Sequence, residues 1–176
     1  MSSGNLAAAK RLRKELQNLE RATANNDPDD YDIYLRPTSP ESILKWTAFL
    51  KGAPDTPYEG GIFQVSIKCN SVGNTFADYT TTEIIRANFF IIIKDYPLSP
   101  PTIAFETKIF HPNVHFRTGD VCLDILKKEW SPAWGLQAAC RAVTALMSDP
   151  DADSPLNCDA GNMIRYVGSS SISLLC

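Results

Sequence analysis

Apolar residues return at helical spacing at the start of the chain, as Leu6, Leu12, Leu16 and Leu19, with Lys10, Arg11, Arg13 and Lys14 interleaved. That pattern predicts an amphipathic helix of about five turns with an apolar stripe and a basic flank. Such a flank is ordinarily a solvated face. Turn formers over 25–30 end the helix, and the runs 31–36 and 43–51 then read as extended, with Pro37 and Pro40 barring a continuous helix between them. The segment 52–61 is dense in turn residues. Next, 62–68 alternates as a third strand, and 102–107 reads as a fourth, entered through the rigid Tyr96-Pro-Leu-Ser-Pro-Pro101. From 111 to 134 the chain reads as irregular. A helix is predicted over 135–148, carrying Leu136, Cys140, Val143 and Met147 on one face and stopped by Pro150, and a shorter one over 159–166. Strands in a meander followed by helices predict an α+β fold.

Composition narrows the field. With 176 residues and 44% of them hydrophobic, the chain suits one substantial core and one domain. A net charge of -3 offers no basic excess, so nucleic acid is not expected as a partner. No run of about 18 apolar residues exists, so no direct membrane span is expected, and the first residues lack a signal peptide's apolar stretch. The cytosol is the expected compartment. Cys69, Cys122, Cys140, Cys158 and Cys176 are an odd set without a CxxC pair, which favours free thiols over a disulfide framework or a zinc site. Most such cysteines are small core residues.

The stretch richest in chemistry is His111-Pro-Asn-Val-His-Phe-Arg-Thr-Gly-Asp-Val-Cys-Leu-Asp-Ile-Leu-Lys-Lys-Glu-Trp-Ser-Pro-Ala133. It resembles the ubiquitin-conjugating enzyme family, which has a His-Pro-Asn tripeptide, a short Gly-containing loop, Cys-Leu-Asp-Ile-Leu and a Trp-Ser-Pro-Ala loop in this order. Segments like Lys10-Arg-Leu-Arg-Lys-Glu-Leu16, Trp46 to Gly52, Pro54 to Gly61, Tyr96 to Pro101 and Asp153-Ser-Pro-Leu156 extend the resemblance over most of the chain. It implies the UBC fold, an antiparallel four-stranded meander sheet flanked by an N-terminal helix and C-terminal helices. It also implies a carrier that takes ubiquitin from the activating enzyme as a Cys122 thioester and passes it to an acceptor chosen by a RING-type ligase. No bound cofactor is implied, since ATP is consumed upstream by the activating enzyme.

Thiolate exchange with a thioester is nearly balanced in energy and needs no strong base. The sequence leaves open whether a helix end, a basic neighbour or backbone N–H groups favour the thiolate. When an amine then attacks, negative charge develops on the carbonyl oxygen, and a placed amide donor can stabilise it. The resemblance assigns that role to Asn113, and shaping the loop is the alternative for the same residue. By the same resemblance His111 fixes its loop by hydrogen bonding, and Asp124 and Ser154 border the nucleophile and help receive the amine. Plain solvent-facing polarity is their alternative. Ser154 stands where many members have an acid, and Asp153 could substitute. His111, His115 and Cys122 do not make a metal site, because Pro112 keeps the histidines off one helix face and no fourth ligand is evident.

The resemblance further makes Lys10, Arg11 and Lys14 contacts for the activating enzyme, and Leu98, Pro132 and Ala133 contacts for the ligase. Trp134 after Ser-Pro-Ala, the long loop from His111 to Cys122 and the segment 153–165 look most like the peroxisomal ubiquitin-conjugating peroxins. That branch implies modification of a peroxisomal import receptor, on lysine or cysteine, at the cytosolic face of the peroxisomal membrane and beside an anchor protein. A non-catalytic ubiquitin scaffold and a carrier of another ubiquitin-like modifier are the competing classes. Retention of Cys122 and Asn113 speaks against the scaffold.

The domain expectation is a single ubiquitin-conjugating core over 1–176, with two departures. Removing 72–94 restores the family spacing between Phe63 and Tyr96. That segment opens with Val-Gly, codable as a splice donor, and closes with codons that can hold a branch point, a pyrimidine tract and a terminal AG, so it reads as a retained intron. An atypical, truncated C-terminus from 167 reads the same way. Genuine variation is the alternative for 72–94, since a surface insertion between strands is tolerable and Phe89 to Ile93 could form a strand.

Overall fold

The computed structural model describes residues 3–23, 32–69, 96–122, 126, 130–151 and 153–167. The expected strand at Phe89 to Ile93, the whole of 72–94 and Asp124 lie outside the described residues, as does the chain beyond Val167.

Helix α1 spans Ser3–Thr23, followed by β1 (Ile33–Pro37), β2 (Lys45–Lys51), β3 (Ile62–Lys68), β4 (Thr102–Phe105), α2 (Leu136–Ser148) and α3 (Cys158–Val167). The four strands form one antiparallel sheet in the order β1-β2-β3-β4, the meander the sequence predicts. β3 carries the bounds read from its alternation. β4 stops at Phe105 because the chain bends there: the N–H groups of Glu106 and Thr107 both donate to the Gln64 carbonyl, and Thr107 Oγ1 accepts from the Gln64 N–H. β1 runs on to Pro37, which an edge strand tolerates.

Period two decides which side chains meet. Trp46, Ala48 and Leu50 of β2, Val65 and Ile67 of β3, and Ile103 and Phe105 of β4 all point into one core. Leu136, Ala139, Cys140, Val143, Leu146 and Met147 of α2 close it from the helical side. Trp46 is fully enclosed, and its indole N–H donates to the Ile43 carbonyl at 2.7 Å, which satisfies the one polar atom it brings inside.

The leucine stripe of α1 needs correction at one end. Leu12 is fully buried and Leu16 and Leu19 lie against the core, but Leu6 is 65% exposed. The helix instead buries Ala8 and Ala9, small residues that let its first turns approach closely. Leu12→Ala should therefore cost about 2–5 kcal/mol in the free energy of unfolding, whereas Leu6→Ala should stay within about 0.5 kcal/mol, as read by denaturant titration.

Candidate active site

The segment that reads as irregular contains a small hairpin. Val114 bridges Val121, His115 N–H donates to Asp120 O at 2.9 Å, and Cys122 N–H donates to Asn113 O at 2.9 Å. Its turn closes through Gly119, whose φ of +75° and whose packing against the Phe105 carbonyl leave no room for a side chain. The cue in the sequence is Arg117-Thr-Gly-Asp120, a turn set between Val114 and Val121. The hairpin docks on the free edge of β4: Phe105 N–H donates to Gly119 O, Val121 N–H donates to Ile103 O, and Ala104 bridges Asp120. Asn113 and Cys122 are thereby held on facing arms of one ribbon.

Next to Cys122 the His111-Pro-Asn113 turn is buried and its side-chain polar atoms are bonded. His111 Nδ1 accepts the Asn113 N–H at 3.0 Å, which assigns the proton to Nε2 and makes Nε2 the donor to the Leu146 carbonyl, also at 3.0 Å. Burial lowers the His111 pKa to about 4, so the ring is neutral at ordinary pH. Tyr58 packs on this ring at 5.9 Å between centroids and donates its hydroxyl to the Phe110 carbonyl at 2.8 Å. The Pro112 carbonyl accepts from both Leu156 and Asn157 N–H groups.

Asn113 is fully buried and clamps the neighbouring loop from both sides of its amide. Oδ1 accepts the Asp151 N–H at 2.9 Å, and Nδ2 donates to the Asp151 carbonyl at 2.7 Å. A second Nδ2 contact, to Ser154 O, is 3.5 Å long, beyond ordinary hydrogen-bond length. Ser154 itself is exposed. Asp153, also exposed, lies 3.8 Å from the Arg165 guanidinium. Among the described cysteines, Cys69 and Cys140 are buried in the core, and burial pushes both thiols up, Cys140 to about 12. Cys158 is exposed at the first turn of α3. Cys122 is 8% exposed, beside the Asn113 turn.

The residues proposed for partner contacts fall into two groups. Lys10 and Lys14 are exposed along α1, as are Leu98, Pro132 and Ala133 on their loops. Arg11 turns inward, where its guanidinium bonds Glu15 and the carbonyls of Ala133 and Trp134. Glu15 and Tyr58 escaped the sequence reading; Glu15 had one signal, its place one turn beyond Arg11 on the side of Leu12. No group of three potential metal ligands occurs among the described residues.

The family model for ubiquitin-conjugating enzymes matches residues 86–169. The chain is 46% identical over 159 residues to Protein PEROXIN-4 of Arabidopsis thaliana, spanning 90% of this chain and 83% of that one. It is 45% identical over 157 residues to ubiquitin-conjugating enzyme E2 pex4 of Dictyostelium discoideum, spanning 89% and 86%. A solved E2 domain of a Toxoplasma gondii ubiquitin-conjugating enzyme superposes with a TM-score of 0.66 at 29% identity, covering 94% of this chain and 92% of that one. The chain therefore belongs to the ubiquitin-conjugating enzyme family, transferases that carry ubiquitin as a cysteine thioester, and it has their UBC fold. Within that family its similarity to proteins named as peroxin-4 covers most of its length.

Two consequences of the buried turn can be measured. Because the folded pKa of His111 lies below its ordinary 6.5, the unfolded chain binds the extra proton. The stability due to neutral His111 is complete above about pH 6.5 and is lost as pH falls toward 4, about 3 kcal/mol in all. His111→Asn should flatten the pH dependence of unfolding in that window. Asn113→Ala strands both backbone groups of Asp151, and should lower stability by about 1–3 kcal/mol in denaturant titration.

Proposed function

We infer that Cys122 is the thiol that receives ubiquitin from the activating enzyme and that Asn113 assists its discharge. The observation that carries the reading is the hydrogen bond from Cys122 N–H to Asn113 O, which couples the candidate nucleophile to the candidate amide donor through one ribbon. The Cys122 thiolate attacks the thioester carbonyl, a new C–S bond forms, and the activating enzyme's thiolate leaves. An acceptor amine then attacks the same carbonyl, the charge that develops on oxygen calls for a donor, and collapse forms the amide, breaks the C–S bond to expel the Cys122 thiolate and gives the amine's proton to solvent. One Asn113 amide hydrogen is committed to Asp151. The other faces only the Ser154 carbonyl, with Nδ2 3.5 Å from that oxygen, and is the one available to the developing charge. Ser154 helps receive the acceptor, a role the family resemblance also gives to Asp124, and His111 supports the turn as a neutral hydrogen-bonding residue.

Ubiquitin, the activating enzyme and a RING-type ligase are the partners. Lys10 and Lys14 meet the activating enzyme, with Arg11 tying that helix to the Ala133 and Trp134 carbonyls, and Leu98, Pro132 and Ala133 meet the ligase. No cofactor is bound by the enzyme itself. The names of its Arabidopsis and Dictyostelium relatives support a peroxisome-associated role, and the family resemblance extends this reading to ubiquitination of an import receptor at the cytosolic face of the peroxisomal membrane, beside an anchor protein. Among the described residues no helix is long and apolar enough to cross a membrane.

The sheet register also bears on 72–94. Lys68 and Thr102 are directly paired, so β3 and β4 are neighbours whose connection the sheet itself needs only to be short. We propose that 72–94 is a retained intron, which the fold does not need.

Incubation with activating enzyme, ubiquitin and ATP should give a thiol-sensitive ubiquitin adduct on a non-reducing gel. The adduct should vanish in Cys122→Ser and persist in a chain lacking 72–94. A thiol-sensitive adduct surviving in Cys122→Ser would move the nucleophile to another cysteine, and loss of charging on deletion of 72–94 would make that segment part of the enzyme.

A further inference from the structure

The loops that carry Leu98 and Pro132-Ala133 share one anchor, and it lies on α1. Glu15 Oε1 accepts the Tyr96 hydroxyl at 2.6 Å and the Arg11 Nε–H at 2.7 Å, and its Oε2 accepts the Leu136 N–H at 2.8 Å. Arg11 extends the same cluster by donating to Ala133 O at 3.2 Å and Trp134 O at 3.1 Å. Helix α2 begins after Gly135, which has no side chain to cap it, so the cap comes from a carboxylate 121 positions away. A negative group is favourable at that helix end. A Cβ on Gly135 would come within 2.9 Å of Glu15 Oε2, so the glycine makes room for the carboxylate. The two loops also hold each other: Trp130 Nε1–H donates to Pro97 O at 2.9 Å, and its ring packs on Tyr96 and Trp134.

We propose that Glu15 is a positioning residue for ligase recognition: its carboxylate sets the relative placement of the Tyr96–Pro101 and Ser131–Gly135 loops and so preorganises Leu98, Pro132 and Ala133 for a RING domain. This rests on the reading of those three residues as ligase contacts. Leu98 is two residues beyond Tyr96, and Pro132-Ala133 directly precedes the Trp134-Gly135-Leu136 backbone that Arg11 and Glu15 bind. Neutralising the carboxylate removes one of its two equivalent acceptors and turns an amide N–H2 toward a donor, so one of the three bonds must be lost. Charge-assisted bonds of this kind are the stronger class, and a partly buried one has little water to replace it. The chemistry at Cys122 lies on the hairpin and the 151–157 loop, and none of the Glu15 bonds reaches either.

The experiment compares Glu15→Gln, Tyr96→Phe and Leu98→Ala with the unaltered chain. Each is charged with ubiquitin, and discharge to free lysine is followed against increasing amounts of an isolated RING domain, chosen because it accelerates discharge of the unaltered chain. For Glu15→Gln the half-maximal RING concentration should rise about ten-fold while the plateau rate, the RING-free discharge and the charging rate stay within about two-fold. Tyr96→Phe, which removes one bond but leaves the carboxylate charged and its bonds to Arg11 and Leu136 in place, should give a smaller rise in the same direction. An unchanged RING response in both Glu15→Gln and Tyr96→Phe, beside a lost one in Leu98→Ala, overturns the positioning role alone. An unchanged response in Leu98→Ala overturns the reading of the loops as well. Equal loss of charging, RING-free discharge and RING response in Glu15→Gln also overturns the proposal, because it marks a general structural role.

Discussion

Burying a turn with several backbone and side-chain polar groups is tolerable only if each finds a partner within the protein, and the His111-Pro-Asn113 turn meets that demand by recruiting the elements around it. His111 takes hold of the C-terminal end of α2 through Leu146 O, Asn113 holds Asp151, and the Pro112 carbonyl receives Leu156 and Asn157. The same turn holds Cys122 from the other side through the Asn113 carbonyl. The surroundings of Cys122 are thus assembled from the β-ribbon that carries it, a helix end and a following loop, the last two distant from Cys122 in the chain.

How far this was legible from residues alone differs by element. β3 carries its signal in strict alternation, and α2 in an apolar face closed by Pro150, so both could be read with near-correct ends. Leu6 misled because spacing alone cannot tell the last leucine of a stripe from one that overshoots the core, while Ala8 and Ala9 look neutral by hydropathy but pack closely. The ribbon around Gly119 was missed because its arms are too short for a periodic signal and its pairing is supplied by the edge of β4.

The site splits in the same way. A run of matched residue types singles out Cys122 and Asn113 as candidates, but which atoms Asn113 bonds depends on Asp151, a partner chosen by backbone geometry. Arg11 looked like one more cation on a basic flank. Its guanidinium instead serves the carbonyls of Ala133 and Trp134, a contact 122 residues away in sequence to the nearer of them. Glu15 offers only its spacing from Arg11, since its importance arises from a glycine that leaves a helix end uncapped on a distant segment.

That trans cap has a bearing on how the chain is made. Synthesis runs from the N-terminus, so α1 leaves the ribosome first, yet the backbone groups that Glu15 and Arg11 satisfy belong to residues 133–136. Until those emerge, the helix has its own amphipathic stripe but neither its core nor its polar partners, and the sheet between them is formed from segments delivered in the interval. This early helix is therefore among the last elements to be secured, and its apolar stripe waits without a core while the sheet is being made.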